Sequence, residues 1–187
     1  MPIRVTGGAL RGRQVQSPPT MKTRPTGSRT REALFNILQG VENFRVLDLF
    51  AGSGIMGIEA LSRGAANVTA VENAHSQARL IYMAYKSLDL TNELTLLEKN
   101  ALTLEKESLC ADEGFDLIYA DPPFKDMKYP DLRKYIGWLN PGGVAVFEAP
   151  SRSIPAWAKA DEAEGKTDIR KYGESSLVIY RAPSAQF

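Results

Sequence analysis

Apolar positions along the chain follow two periods. Near-continuous apolar runs recur at residues 46–50, 68–71, 94–97, 115–120 and 143–148, each four to six residues long. Runs of that length read as strands buried on both faces of a parallel sheet. Between them the spacing lengthens to three and four. Ile55, Ile58 and Leu61 share one face of a helix that begins near Gly54, and residues 74–88 carry a second helix. Residues 101–108 read as a weaker helix, and 132–138 sit in another. Strands alternating with helices predict an α/β fold with a doubly wound, mostly parallel sheet. Residues 168–172 and 177–180 flank Gly173-Glu174 and predict a hairpin that closes the sheet with an antiparallel C-terminal edge.

The first forty residues differ in pattern. Residues 3–5 and 13–15 flank Gly7, Gly8 and Gly12 and read as a small hairpin, followed by an irregular stretch over 17–27 with three prolines. Ser28 is placed to cap a helix to Leu38, with Ala33, Leu34, Ile37 and Leu38 as its apolar stripe and Gly40 as its stop. The expected division is therefore a basic N-terminal arm and helix, 1–40, and one compact domain, 41–187. No element is assigned to 151–166, which is rich in charge and alanine.

At 187 residues, 43% hydrophobic and 24% charged, the chain is of the size and composition that bury a core without staples. The single cysteine, Cys110, excludes a disulfide framework and a cysteine-cluster metal centre. No run approaches the length of a membrane span, and the N-terminus lacks the apolar stretch of a signal peptide. A cytoplasmic, metal-free monomer is expected. The net charge of +1 conceals an asymmetry. Residues 1–31 hold seven basic side chains and no acid, leaving 16 basic against 22 acidic residues in the rest. Such an arm is suited to phosphate, with Arg4, Arg11, Arg13, Arg24, Arg29 and Arg31 as candidate contacts to nucleic acid. A solvated or disordered arm would have the same composition.

Two short runs carry the candidate chemistry. The first is VLDLFAGSG at 46–54, a strand that ends in an acid and then a glycine turn. Gly52-Ser53-Gly54-Ile55-Met56-Gly57 fits G-x-G-x-x-G, the pattern that lets backbone approach a nucleotide-like cofactor. Glu72, at the end of the next strand, stands where an acid accepts both ribose hydroxyls. A dinucleotide would bring pyrophosphate to this turn, and Asp48 would repel it. S-adenosylmethionine has no phosphate, and its sulfur and amino group are cationic, so the same acid attracts it. Asn100 is placed to meet the adenine amino group, and Ala101 to offer its N–H to the ring. An NAD-dependent oxidoreductase stays open as the alternative.

The second run is DPPF at 121–124, closing the strand 115–120. The prolines fix φ and remove donors, so the Asp121 carboxylate and the Pro122 carbonyl remain as acceptors. Together they suit an exocyclic amine, a double donor, whose lone pair would then face a methyl group. Phe124 offers a flat face for the base. Methyl transfer to an amine then requires alignment of nitrogen, carbon and sulfur, with neither metal nor covalent nucleophile. The amine of a DNA adenine or of a protein glutamine is an alternative acceptor.

At these residues the chain resembles the bacterial small-subunit (16S) ribosomal RNA guanine-N2 methyltransferases of the class I S-adenosylmethionine-dependent fold. The resemblance runs through Arg4-Val5-Thr6-Gly7-Gly8, Arg11-Gly12-Arg13, Arg24-Pro25-Thr26, Arg31-Glu32 and Leu34-Phe35-Asn36. It continues through 48–54, 59–64 and 121–124. It implies a sheet of about seven strands with an antiparallel last edge, and cofactor contacts from Asp48, Gly52, Glu72 and Asn100. It also implies a target guanine held by Asp121 and Phe124, and an RNA-facing arm that meets the assembling or assembled small subunit.

Overall fold

The computed structural model describes residues 2–16, 27–109, 114–123 and 131–185. The expectations for 17–26, Arg24, Cys110 and Phe124 lie outside them. The chain forms two compact units, residues 1–101 and 102–187. Its main sheet has seven strands in the order β5-β4-β3-β6-β7-β9-β8.

The first unit opens with β1 (Pro2–Arg4) and β2 (Gln14–Gln16), an antiparallel hairpin with Ile3 opposite Val15. Helix α1 (Ser28–Leu38) follows, then β3 (Arg45–Leu49), α2 (Ile55–Ser62), β4 (Asn67–Val71), α3 (His75–Lys86) and β5 (Leu94–Leu97). β4 pairs in parallel with both β3 and β5, with Asp48 opposite Ala70 and Ala70 opposite Leu96. The right-handed βαβ crossover buries both faces of such strands; Val46, Leu47, Leu49, Val68, Ala70 and Val71 are all buried.

The second unit contains β6 (Phe115–Ala120), β7 (Leu139–Pro150), α4 (Ala156–Ala163), β8 (Thr167–Tyr172) and β9 (Ser175–Arg181). β6 and β7 are parallel, while β9 runs antiparallel to both β7 and β8, forming the expected edge.

Several local expectations are corrected. Ser28 begins α1 rather than capping it; Gly27 occupies the cap without a side-chain bond, and Gln39 turns left-handed at the other end, ahead of Gly40. The helix expected over 101–108 is two 3-10 turns, Ala101–Thr103 and Lys106–Leu109, with Ala101 and Leu104 buried and no continuous apolar stripe to hold a longer helix. The helix expected over 132–138 is also 3-10, at Arg133–Trp138. Leu132, Tyr135 and Trp138 are all buried at that same spacing, and the two rings meet edge to face at 4.7 Å. The strand expected over 143–148 begins earlier, at Leu139, and carries Pro141-Gly142-Gly143 as a bulge where a turn would have preceded it: Phe115 pairs with Leu139, but Leu117 pairs with Val144. Helix α4 lies in the unassigned stretch, with the ring of Trp157 edge-on to Phe147 at 5.9 Å.

Candidate active site and nucleic-acid arm

In the first unit, the glycine loop leaves β3 through backbone that few side chains tolerate. Phe50 has φ +59°, followed by Gly52 at +57° and Gly54 at +71°. Gly54 is the N-cap of α2. The loop backbone is held from both sides. The Gly52 N–H donates to Glu72 Oε2 at 3.0 Å, and Gln77 Nε2 donates to the Gly52 carbonyl at 2.6 Å. Glu72 also accepts the Ala74 N–H on Oε1 at 2.9 Å. A carboxylate has about four acceptor positions, so two bonds leave Glu72 acceptor capacity for a diol.

Asp48 is buried at the end of β3, only 1% accessible. The Gly57 N–H bonds to it, but its Oδ2 has no hydrogen-bond partner. Burial, with the nearby charge of Glu72, outweighs that N–H and pushes its pKa up to about 7. Tyr85 is buried against the same turn, its hydroxyl donating to the Gly54 carbonyl at 3.4 Å, and burial beside Asp48 holds its pKa well above the usual phenol value. The contact explains the third glycine of the motif: a Cβ on Gly57 would lie 2.1 Å from the Tyr85 oxygen. Asn100 is exposed beyond β5, and Ala101 is buried at the start of its 3-10 turn.

In the second unit, Asp121 is half-buried and Pro122 buried directly after β6, and Pro123 is exposed. Behind them lies a polar cluster that sequence reasoning missed. The Tyr119 hydroxyl donates to Glu148 Oε2 at 2.7 Å, and the Ser175 hydroxyl donates to Glu148 Oε1. The signal was an acid inside the apolar run of β7, in phase with Tyr119 on β6.

The arm is anchored to α2. The Thr6 N–H donates to Glu59 Oε1 at 2.6 Å, and the Ser62 hydroxyl donates to the Gly7 carbonyl at 2.6 Å. Leu10 N–H reaches Ser62 Oγ at 2.9 Å, and Arg63 Nη2 reaches Thr6 Oγ1 at 3.1 Å. Gly8 packs so closely that a Cβ there would lie 1.8 Å from the Ser62 carbonyl oxygen. Arg4, Arg11, Arg13 and Arg29 are exposed. Arg31 corrects the expectation of a phosphate contact. It is buried, its Nε faces Glu59 Oε1 at 3.4 Å, and its Nη2 donates to the Arg4 carbonyl at 2.9 Å. Glu59, Ser62 and Arg63 lie in the segment 59–64 that carries the family resemblance, but nothing in the sequence pointed to their contacts with the arm.

Among the described residues, no group of three or more His, Cys, Asp or Glu side chains is placed to hold a metal. Among them, too, no helix is long and apolar enough to cross a membrane.

The sequence model of the family described as Conserved hypothetical protein 95 matches residues 3–181. Ribosomal RNA small subunit methyltransferase D of Escherichia coli (strain K12) is 37% identical over 182 residues, which cover 91% of this chain and 89% of that protein. A hypothetical protein of Thermus thermophilus superposes with a TM-score of 0.78 at 26% identity, over 95% of this chain and 98% of its own. The fold is shared with a T. thermophilus 16S rRNA N2 methyltransferase solved in complex with AdoMet and guanosine. There the TM-score is 0.75 at 22% identity, over 97% of this chain and 50% of that one.

Proposed function

This chain belongs to the Conserved hypothetical protein 95 family, and from that premise we propose that it transfers a methyl group from S-adenosylmethionine to the exocyclic N2 amine of a guanine in 16S ribosomal RNA. The observation that carries the choice of cofactor is the glycine loop's acidic setting. Glu72 clamps Gly52, and Asp48 lies at the end of β3 with one buried oxygen unpartnered. These acids oppose a pyrophosphate and favour a cationic ligand, which would draw off the proton that burial places on Asp48. The residues present therefore fit the group, which supplies an electrophilic methyl on a sulfonium.

The roles of the chain's own residues follow. Gly52 and Gly54 let backbone approach the ligand, Glu72 accepts ribose hydroxyls, and Asn100 and Ala101 bind the adenine edge. Ligands of open α/β sheets sit beyond the carboxyl ends of the strands, and Asp48, Glu72 and Asp121 each occupy that end of their own strand or follow it. The Asp121 carboxylate and the Pro122 carbonyl accept the two amine hydrogens, turning the nitrogen lone pair outward. Phe124 stacks on the guanine, and Asp121 receives the released proton. Arg4, Arg11, Arg13, Arg24 and Arg29 meet phosphate. The substrate is rRNA in an assembling or assembled small subunit, and the enzyme works as a cytoplasmic monomer.

The test is methyl incorporation from labelled cofactor into small-subunit RNA and particles, with mass mapping of the product nucleotide. Asp121→Ala should lower the rate at least about a hundredfold while leaving S-adenosylhomocysteine affinity within a few-fold of wild type. Normal methylation by that variant would remove the assigned chemistry.

A further inference from the structure

We propose that the outer face of α3 is a second contact surface for the RNA substrate, with a base stacked on Tyr82 and phosphates held by Arg79 and Lys86. The proposal rests on the rRNA reading above and extends it to a face remote in sequence from the arm. Among the described residues, the large hydrophobic side chains left exposed are Leu80 (39%), Tyr82 (46%) and Met83 (53%), all on this one helix. Its opposite side is an ordinary core face, with Ala78, Ile81, Ala84 and Tyr85 buried. Arg79, Tyr82, Met83 and Lys86 fall at i, i+3, i+4 and i+7, so they form one exposed stripe.

Charge identifies the occupant. The helix HSQARLIYMAYK contains no acid. Of the acids near its ends, Glu72 accepts the Ala74 and Gly52 N–H groups, Glu98 is held on His75 Nδ1 at 2.9 Å, and Asp89 lies past the C-cap in left-handed backbone. A second copy docking on this face by two-fold symmetry would set the same cations against one another. RNA supplies what the stripe lacks: anions for two cations about 10 Å apart along the axis, and a flat ring for the aromatic between them. Base stacking on an aromatic side chain tolerates any base, so this surface would secure the strand without reading its sequence.

The experiment measures binding of protein-free 16S rRNA and of small-subunit particles to the full-length enzyme across a salt series. Tyr82→Ala should weaken RNA binding about tenfold, and Tyr82→Phe should restore it. Arg79→Gln with Lys86→Gln should reduce the log–log salt slope by about 1.4. These positions are exposed, and unchanged S-adenosylhomocysteine affinity checks that the fold is intact. Variants that bind both substrates like wild type, in an enzyme that methylates rRNA, would overturn the inference alone. A wild type that neither binds nor methylates rRNA would overturn the functional reading and this inference with it. Loss of particle binding with protein-free RNA binding unchanged would assign the face to a protein and overturn the proposal. If wild type engages particles only, a photo-crosslinker at position 83 decides: attachment to RNA supports it, and attachment to protein overturns it.

Discussion

Replacing Arg31 with Met tests the anchoring of the arm. Arg31 and Glu59 are both fully buried, at 2% and 0% exposure, and lie 28 residues apart in sequence. Glu59 also takes the Thr6 N–H at 2.6 Å and faces Arg63 Nε at 3.4 Å. Removing one partner of a buried ion pair costs about 3–5 kcal/mol, because the remaining charge stays out of water without compensation. Arg63 and the Thr6 N–H remain, so the lower end applies, about 3 kcal/mol. For a chain of this size each kcal/mol moves Tm by about 2–4 °C, giving a fall of about 6–12 °C. Arg31→Met also releases the Arg4 carbonyl, so the hairpin should become sensitive to limited proteolysis near Leu10. Methylation of rRNA should fall through a raised KM while S-adenosylhomocysteine affinity holds. Glu59 also holds the Thr6 N–H and Arg63, so Glu59→Met alone should cost stability too, and the double variant should lose less than the two single losses summed, because the pair is broken only once. If Arg31→Met melts within about 2 °C of wild type, or the two single losses sum to the loss of the double variant, the pair does not anchor the arm as argued.

Other perturbations give independent readings. Gly8→Ala combines φ +74° with a Cβ 1.8 Å from a backbone oxygen, so about 2 kcal/mol or more should be lost. Gly12→Ala, at φ +87° in open space, should cost only about 1 kcal/mol; equal melting temperatures for the two would refute the packing argument. Asp48 binds a proton in the folded state up to about pH 7, against 3.8 ordinarily. Its contribution to stability is therefore complete below about pH 4 and is lost as pH rises through about 7, to a total of about 4 kcal/mol. Asp48→Asn should flatten the fall in Tm between about pH 5 and pH 8, and parallel curves would contradict the burial argument. Arg11→Gln with Arg13→Gln should lower the salt slope of RNA binding by about 1.4, and an unchanged slope would place RNA elsewhere.

The alternation of elements was legible because each strand is a short apolar run punctuated by glycine or a polar residue, and burial on both faces leaves little else for such runs to form. Helix type was less legible. Leu132, Tyr135 and Trp138 satisfy a period of three as readily as one of 3.6 over so few residues, and only packing separates them. Helix α4 was missed because Ala158 alone of its residues is buried, which leaves almost no periodic signal. The apolar run over 143–148 was legible as a strand, but β7 begins earlier, at Leu139, ahead of Pro141-Gly142-Gly143. That β7 continues through these residues as a bulge depends on the pairing partner, β6, which no local window contains.

The site shows the same limit at the level of single charges. Asp48, Glu72 and Asp121 stand out in sequence because acids at strand ends have a topological meaning. Their surroundings do not stand out. Whether Asp48 faces water or is buried is decided by Gly57 and Tyr85, which arrive from two different helices. Arg31 reads in composition as one more cation of a basic arm, yet a non-local acid neutralises it inside the protein. The electrostatic footprint that the arm would offer RNA is therefore smaller than its composition implies. Within the described residues the arm's share falls to Arg4, Arg11 and Arg13, on a hairpin that the buried arginine itself helps to fix, and to Arg29 on α1.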